Sequence, residues 1–173
     1  SISADGEYII AGSDDDKIYL FDKDSNTPQW SYTTEGDIYS VAISADGEYI
    51  TAGVRYYDDT WTGKVYLFDK DSSTPLWSYD PDSWIYSVDI SGDGKYIVAS
   101  AINAAGDDDD MVYLFDKGSS TPLWSYEVGD NAESVAISSD GEYIVAGSDD
   151  DKVYLFDKDS GTPVWSYDTG DDV

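Results

Sequence analysis

The chain has 173 residues, and 37 Asp and Glu against 9 Lys and Arg leave a formal net charge of −28 at pH 7. It contains no Cys and no His, which excludes disulfides, thiolate nucleophiles, zinc–thiolate sites, imidazole ligands and a Ser-His-Asp triad. The acidity repels phosphate backbones, and no apolar run approaches the ~20 residues of a membrane span, so neither nucleic acid nor membrane insertion is expected of this segment.

Of the acidic residues, 31 are Asp and 6 are Glu. Asp favours turns over helices, and the 16 Tyr and 6 Trp favour strands. Three runs then recur along the chain. ISADGEYI begins at Ile2 and Ile43, and returns as ISGDGKYI at Ile90 and ISSDGEYI at Ile137. YLFDK begins at Tyr19, Tyr66, Tyr113 and Tyr154, and T-P-x-W-S-Y begins at Thr27, Thr74, Thr121 and Thr162. The first run is spaced by 41, 47 and 47 residues and the other two by 47, 47 and 41. The chain is therefore four repeats, with unit boundaries near 1–37, 38–84, 85–131 and 132–173, and the two middle units carry insertions.

Each unit reads as four short strands. In the second, strand A is Ile38 to Ser44, an Asp46-Gly47 turn supplies the positive φ of a tight hairpin, and strand B is Tyr49 to Gly53. A variable loop leads to strand C, Val65 to Asp69, and a polar turn ending in Pro75 leads to strand D, Leu76 to Tyr79. The VYLF run is apolar on both faces, as a strand sandwiched between two sheets requires. Helical periodicity is absent. About 40–45 residues and four strands per repeat are the signature of a propeller blade. The fold class is all-β, a β-propeller with four four-stranded blades. Val173 aligns with Ile38 and Ser1 with Ala42, so the repeats are cut within strand A. A closed four-blade ring, a section of a longer array and two copies pairing into eight all fit. The start at Ser1 rather than Met, and the sheet edge that a cut strand would expose, favour a section of a seven- or eight-bladed ring.

From Leu155, the spacing of Asp157, Gly161 and Trp165 resembles the tryptophan-docking motif of quinoprotein-type, PQQ-like propellers. That resemblance implies structural tryptophans between blades at Trp30, Trp77, Trp124 and Trp165. The chain departs from the family in having Leu at the motif's small position and in keeping its Gly only at Gly161. The S-x-D-G-x-Y-I portion is similar to WD-repeat and related surface propellers, without the Trp-Asp dipeptide.

In an up-and-down blade the A–B and C–D turns share one end, and the B–C and D–A loops share the other. The second end carries more of the negative charge. Its Asp runs (Asp14, Asp15 and Asp16; Asp107, Asp108, Asp109 and Asp110; Asp149, Asp150 and Asp151) are candidate ligands for a hard cation, Ca2+ above all, against the alternative of solvated turns that keep the protein soluble. The insertion of unit two holds Arg55, the only Arg, with Tyr56, Tyr57 and Trp61. Trp84 and Tyr86 lie in the D–A region of the same end. Loop aromatics and Arg are enriched at contact hot spots, so Arg55, Tyr56, Tyr57, Trp61, Trp84 and Tyr86 are candidate partner-binding residues for a protein or a glycan; the alternative is that they pack on one another to order a long loop. Asp89 replaces Ala42 and Ala136 on strand A, and reads as structural, lining a channel or bonding a neighbouring blade.

Catalytic carboxylate pairs need distinct environments, whereas these acids repeat with the blades. Quinone-dependent oxidation, which the resemblance raises, lacks a placeable cofactor set. The expected function is a non-enzymatic binding or assembly module at the cell surface or outside it, with a homo-oligomer as one possible partner state. A propeller dehydrogenase or glycosidase completed by further chain is the alternative.

Overall fold

The computed structural model describes residues 1–58, 60–103 and 110–173. The described residues contain strands and turns and no helix. The first sheet is β1 (Tyr8–Ser13), β2 (Lys17–Asp22) and β3 (Trp30–Thr33), with an Ile2–Ile9 bridge where an inner strand would stand. The second is β4 (Asp37–Ile43), β5 (Tyr49–Asp58), β6 (Thr60–Asp69) and β7 (Trp77–Tyr79). The third is β8 (Trp84–Ile90), β9 (Tyr96–Ile102), β10 (Met111–Asp116) and β11 (Trp124–Glu127). The fourth is β12 (Ser134–Ile137), β13 (Tyr143–Ser148), β14 (Lys152–Asp157) and β15 (Trp165–Asp168). Every sheet is an antiparallel meander in chain order. The sheets are propeller blades, and the inner strands β4, β8 and β12 pack against one another along the arc.

The core lies between blades rather than within them. One cluster joins Ile10, Ile18 and Leu20 of the first blade to Ile50, Ala52, Tyr66 and Phe68 of the second. A second joins Val65 and Leu67 to Ile85, Ile97, Ala99 and Phe115. A third joins Val98, Val112 and Leu114 to Ile144, Ala146, Tyr154 and Phe156. Alternation along a strand explains the arrangement, because successive side chains point to opposite faces. In YLF the Leu faces the following blade while the Tyr and Phe face the preceding one.

Aromatic contacts repeat at each junction. Trp30 lies 5.6 Å from Phe68 between ring centroids, Trp77 5.4 Å from Phe115 and Trp124 5.2 Å from Phe156. Tyr32, Tyr79 and Tyr126 meet the same phenylalanines edge-on at 5.1–5.2 Å. The indole N–H groups of Trp30, Trp77 and Trp124 donate to the Lys70, Lys117 and Lys158 carbonyls of the next blade at 2.7, 2.8 and 2.9 Å. The structural tryptophans thus combine apolar burial with a satisfied polar handle. Trp165 departs from the expectation. It is 48% exposed, because none of the four blades covers the face of the fourth blade that carries it.

Local structure differs from the sequence reading in two places. The variable segment of unit two is not a loop. The ladder continues through Arg55–Gly63, Tyr56–Thr62 and Tyr57–Trp61, so β5 and β6 form one long hairpin; β-branched and aromatic residues carry it. The Asp46-Gly47 turn uses positive φ only at Gly47 (74°). Asp46 instead brackets the turn, accepting from Ser44 Oγ at 2.6 Å and from the Glu48 N–H at 3.0 Å. Asp89 fastens blades three and four. Its Oδ1 accepts from the Ile90 N–H at 2.8 Å and its Oδ2 from the Ile137 N–H of the next inner strand at 2.9 Å.

These contacts separate two substitutions of the same residue type. Trp77→Ala should lower the unfolding free energy by about 3 kcal/mol through lost packing and an orphaned carbonyl, and Trp165→Ala by about 0.5 kcal/mol or less. Urea titration of each variant at low salt measures both.

Candidate functional site

β-Bulges shape the inner edge at the B–C/D–A end. The β4–β5 register slips between Ile38 and Ser40, and the β8–β9 register slips between Ile85 and Ser87. Tyr39 and Tyr86 are the residues left out of pairing, and a bulge re-aims such a side chain. Their rings meet at 4.7 Å between centroids, and the Tyr39 hydroxyl lies 3.4 Å from that of Tyr86. The hydrogen bond to Tyr39, partial burial and the charge of Glu133 push the Tyr86 phenol up to about 12, while Arg55 pulls the other way. Glu133 stands at the equivalent position of the fourth unit. Burial and the charges of Asp149 and Asp172 raise its carboxyl, against a hydrogen bond from Tyr86.

Arg55 projects from β5 over this row. Its guanidinium carbon is 4.0 Å from the Tyr39 ring centroid and 5.4 Å from that of Trp84, and Nη2 is 3.9 Å from Asp37 Oδ2. Stacking on flat rings suits a planar guanidinium. Asp37, Arg55, Tyr56, Tyr57 and Trp84 line a recess of about 240 Å³. Tyr57 is 62% exposed, and the Tyr56 hydroxyl lies 3.5 Å from Asp80, with Lys64 Nζ near its ring. The fold therefore brings Arg55, Tyr56, Tyr57, Trp84 and Tyr86 to one place. The Trp61 side chain lies outside the described residues, although its backbone pairs with Tyr57. Sequence reasoning missed Asp37, Tyr39 and Glu133. Tyr39, Tyr86 and Glu133 share one repeat position and were visible as such, but the bulges that turn the tyrosines inward have no sequence signal.

The Asp runs have a different character. Asp16 and Asp151 take left-handed turn conformations, with φ of 65° and 66°, and their carbonyls accept the Thr34 and Thr169 N–H groups at 2.8 and 2.7 Å. Asp15 accepts the Tyr19 hydroxyl at 2.5 Å and faces Lys17 at 3.7 Å. Asp149 accepts from Asn131 at 3.1 Å. Asp150 is turned inward, accepting from the Tyr154 hydroxyl, from Lys152 at 3.0 Å and from the Gly129 N–H at 3.1 Å. Burial pushes its carboxyl up, but these donors and Ser148 outweigh it and hold it low. Asp110 is buried and accepts the Asn103 N–H at 2.8 Å. Asp107, Asp108 and Asp109, like Asp59 of the other insertion, lie outside the described residues. Among the described residues no three acidic side chains gather as a metal cluster. Nor does any helix long and apolar enough to cross a membrane occur there.

Stacked four-strand meanders joined by interblade tryptophans define a PQQ-like β-propeller. The family model described as outer membrane protein assembly factor BamB matches residues 1–139 and 108–173, and the chain belongs to this family. No curated protein matches the chain.

Two predictions follow from the acids. Asp150→Ala should cost roughly 1–3 kcal/mol by leaving partly buried donors unpaired, and calorimetry should give the same loss with and without a chelator. Asp5, Asp93 and Asp140, bonded to turn serines, and Asp15, bonded to Tyr19, are held below their ordinary values. They stabilise the fold above about pH 4, and that stability is lost as pH falls further. Asp89, raised by burial, and Glu133 and Asp172 have raised values. Their ionisation weakens the fold as pH climbs past about 4. Melting temperature against pH should therefore peak on the acidic side of neutrality and fall steeply below about pH 3.5.

Proposed function

We propose that the chain is a non-enzymatic propeller scaffold that binds a protein partner through its B–C/D–A end, with Arg55 and the surrounding aromatic residues as the anchor. One observation carries this reading: the only arginine of a chain with net charge −28 is spread over the Tyr39 ring at 4.0 Å, beside an exposed Tyr57. Arg with Tyr and Trp is the composition of contact hot spots. The recess is shallow and, at about 240 Å³, smaller than the ~300–1,000 Å³ typical of small-molecule sites. A flat contact with a second protein fits it better than an enclosed substrate. The Tyr39 ring is already in contact with Arg55 and Tyr86, which leaves less open ring for a stacked sugar.

The surrounding acids select the partner. A basic segment meets complementary charge on this end, and electrostatic attraction speeds encounter. The family description, an outer membrane protein assembly factor, supports an assembly role and a place in the cell envelope. The carboxylates near the recess are already committed to ion pairs and hydrogen bonds, which supports binding over acid–base catalysis. The Asp runs serve as charged turns on this reading.

A photo-crosslinking amino acid at position 57 or 86, in the native host, should yield discrete protein adducts, and the same group at Leu76 or Leu123 should not. Arg55→Ala should reduce the adducts at least tenfold while shifting the melting temperature by only a few degrees. Glycan capture without protein adducts, or turnover of a glycan or of an alcohol with a dye acceptor, would overturn the reading.

A further inference from the structure

The guanidinium of the proposed contact surface has its hydrogen-bond donors unused. Lys23, Lys64, Lys70, Lys152 and Lys158 each lie within 3.0 Å of a carboxylate oxygen. Arg55 does not, in a chain with 37 acidic residues. Asp37 faces it directly across the β4–β5 ladder. Yet Asp37 Oδ2 stands 3.9 Å from Nη2, beyond hydrogen-bond reach. Among the described residues the Arg55 guanidinium donates no hydrogen bond. An arginine presents its N–H donors in a planar fork that matches a carboxylate. This fork is accessible, with the side chain 31% exposed.

Packing, rather than an anion, holds the fork in place. The Tyr39 ring lies 4.0 Å from the guanidinium carbon and the Trp84 ring 5.4 Å. Gly36 closes on the backbone of the same strand: a Cβ there would come within 2.5 Å of the Arg55 carbonyl oxygen and of Tyr56 Cβ. Tyr39 is braced in turn, its hydroxyl donating to that of Tyr86 at 3.4 Å. Donors fixed by rings and left unused are arranged in advance for an incoming acceptor, which lowers the cost of ordering on binding. Charge then changes sign along the row. Glu133 on the next blade takes a hydrogen bond from Tyr86 and feels the charge of Asp149. The inner edge of this end therefore runs from a cation at Arg55, across two tyrosines, to an acidic pole at Glu133 and Asp149.

We infer that the Arg55 fork receives the side-chain carboxylate of an Asp or Glu on the partner protein, and that basic residues flanking this acid meet the pole at Glu133 and Asp149. The inference rests on the reading of this surface as a protein contact, and it names what the contact recognises. A phosphate group would bring roughly −2 into a strongly negative surface, whereas a singly charged carboxylate among basic neighbours matches the row at both ends. A chain terminus is commonly held by a nest of backbone N–H groups, whereas here the donors on offer belong to a side-chain fork. The basic segment drawn to this end thus carries one acid among its bases.

Arg55 is the only arginine, so its Nε–H gives a single resonance in the nitrogen NMR spectrum. The probes are the amidated peptides KKFDFKK and KKFNFKK. General attraction to a chain of charge −28 favours the Asn peptide, which is the more positive of the two. The expected result is the reverse: the Asp peptide moves the Arg55 signal and binds roughly tenfold more tightly, the scale of a forked, charge-assisted hydrogen bond. Arg55→Lys keeps the charge and loses the fork, so it should erase that preference. Asp37→Asn removes the competing carboxylate and should widen it severalfold. Equal binding of the two peptides, a preference that survives Arg55→Lys, or one narrowed by Asp37→Asn would overturn the inference. So would KKFNFKK with a free C-terminal carboxylate binding more tightly than amidated KKFDFKK. In the native host, protein adducts at position 57 that survive Arg55→Lys but not Arg55→Ala would overturn this inference and leave the reading of a protein contact standing. No protein adduct at that position would overturn the reading itself, and the inference with it.

Discussion

Everything in this fold depends on apolar sheets covering one another. An isolated blade has Leu and Val on one face and Tyr and Phe on the other, and water would touch both. Stacking removes that contact, at roughly 25 cal/mol per Å² buried. The Trp that spans each junction adds direction to a force that has none. Its indole N–H must find an acceptor when buried, and the Lys70, Lys117 and Lys158 carbonyls stand where the next blade has to be. Register between blades therefore comes from a hydrogen bond, and most of the energy comes from area.

The same constraint separates structure from contact surface. Residues that repeat, such as the Phe, Trp and Tyr of each unit, are consumed by stacking. Residues that break the repeat are available for something else. Arg55 and the long β5–β6 hairpin break it at the B–C/D–A end of the blades, and the Tyr39 and Tyr86 bulges shape the inner edge beside them. Asp89 breaks it too, yet both its oxygens are committed to backbone N–H groups, one on its own strand and one across the junction of blades three and four. Departure from the repeat thus has two outcomes, and hydrogen-bond bookkeeping tells them apart.

The acidic surface takes its form from turns. Ser-x-Asp-Gly corners and Asp-rich B–C loops use carboxylates to accept local N–H and O–H groups. This keeps a −28 chain ordered where repulsion is greatest, and it couples solubility to the geometry of the hairpins.

Much of this was legible in the residues. The periods of 41 and 47, the two-faced VYLF runs and the recurring T-P-x-W-S-Y specified blades and the tryptophans between them, because a repeated local pattern with period-two alternation permits few other ways to bury both faces. The clustering of Arg55 with Trp84 and Tyr86 was also legible at the level of which end carries them. Tertiary structure decided the rest. Whether the insertion of unit two is loop or strand depended on pairing across the hairpin. Whether Tyr39 points inward depended on a bulge. Whether Trp165 is core or surface depended on a neighbour that no local pattern can supply. Strand alternation is encoded residue by residue, whereas ladder slips and the presence of a facing sheet are properties of segments far apart in the chain.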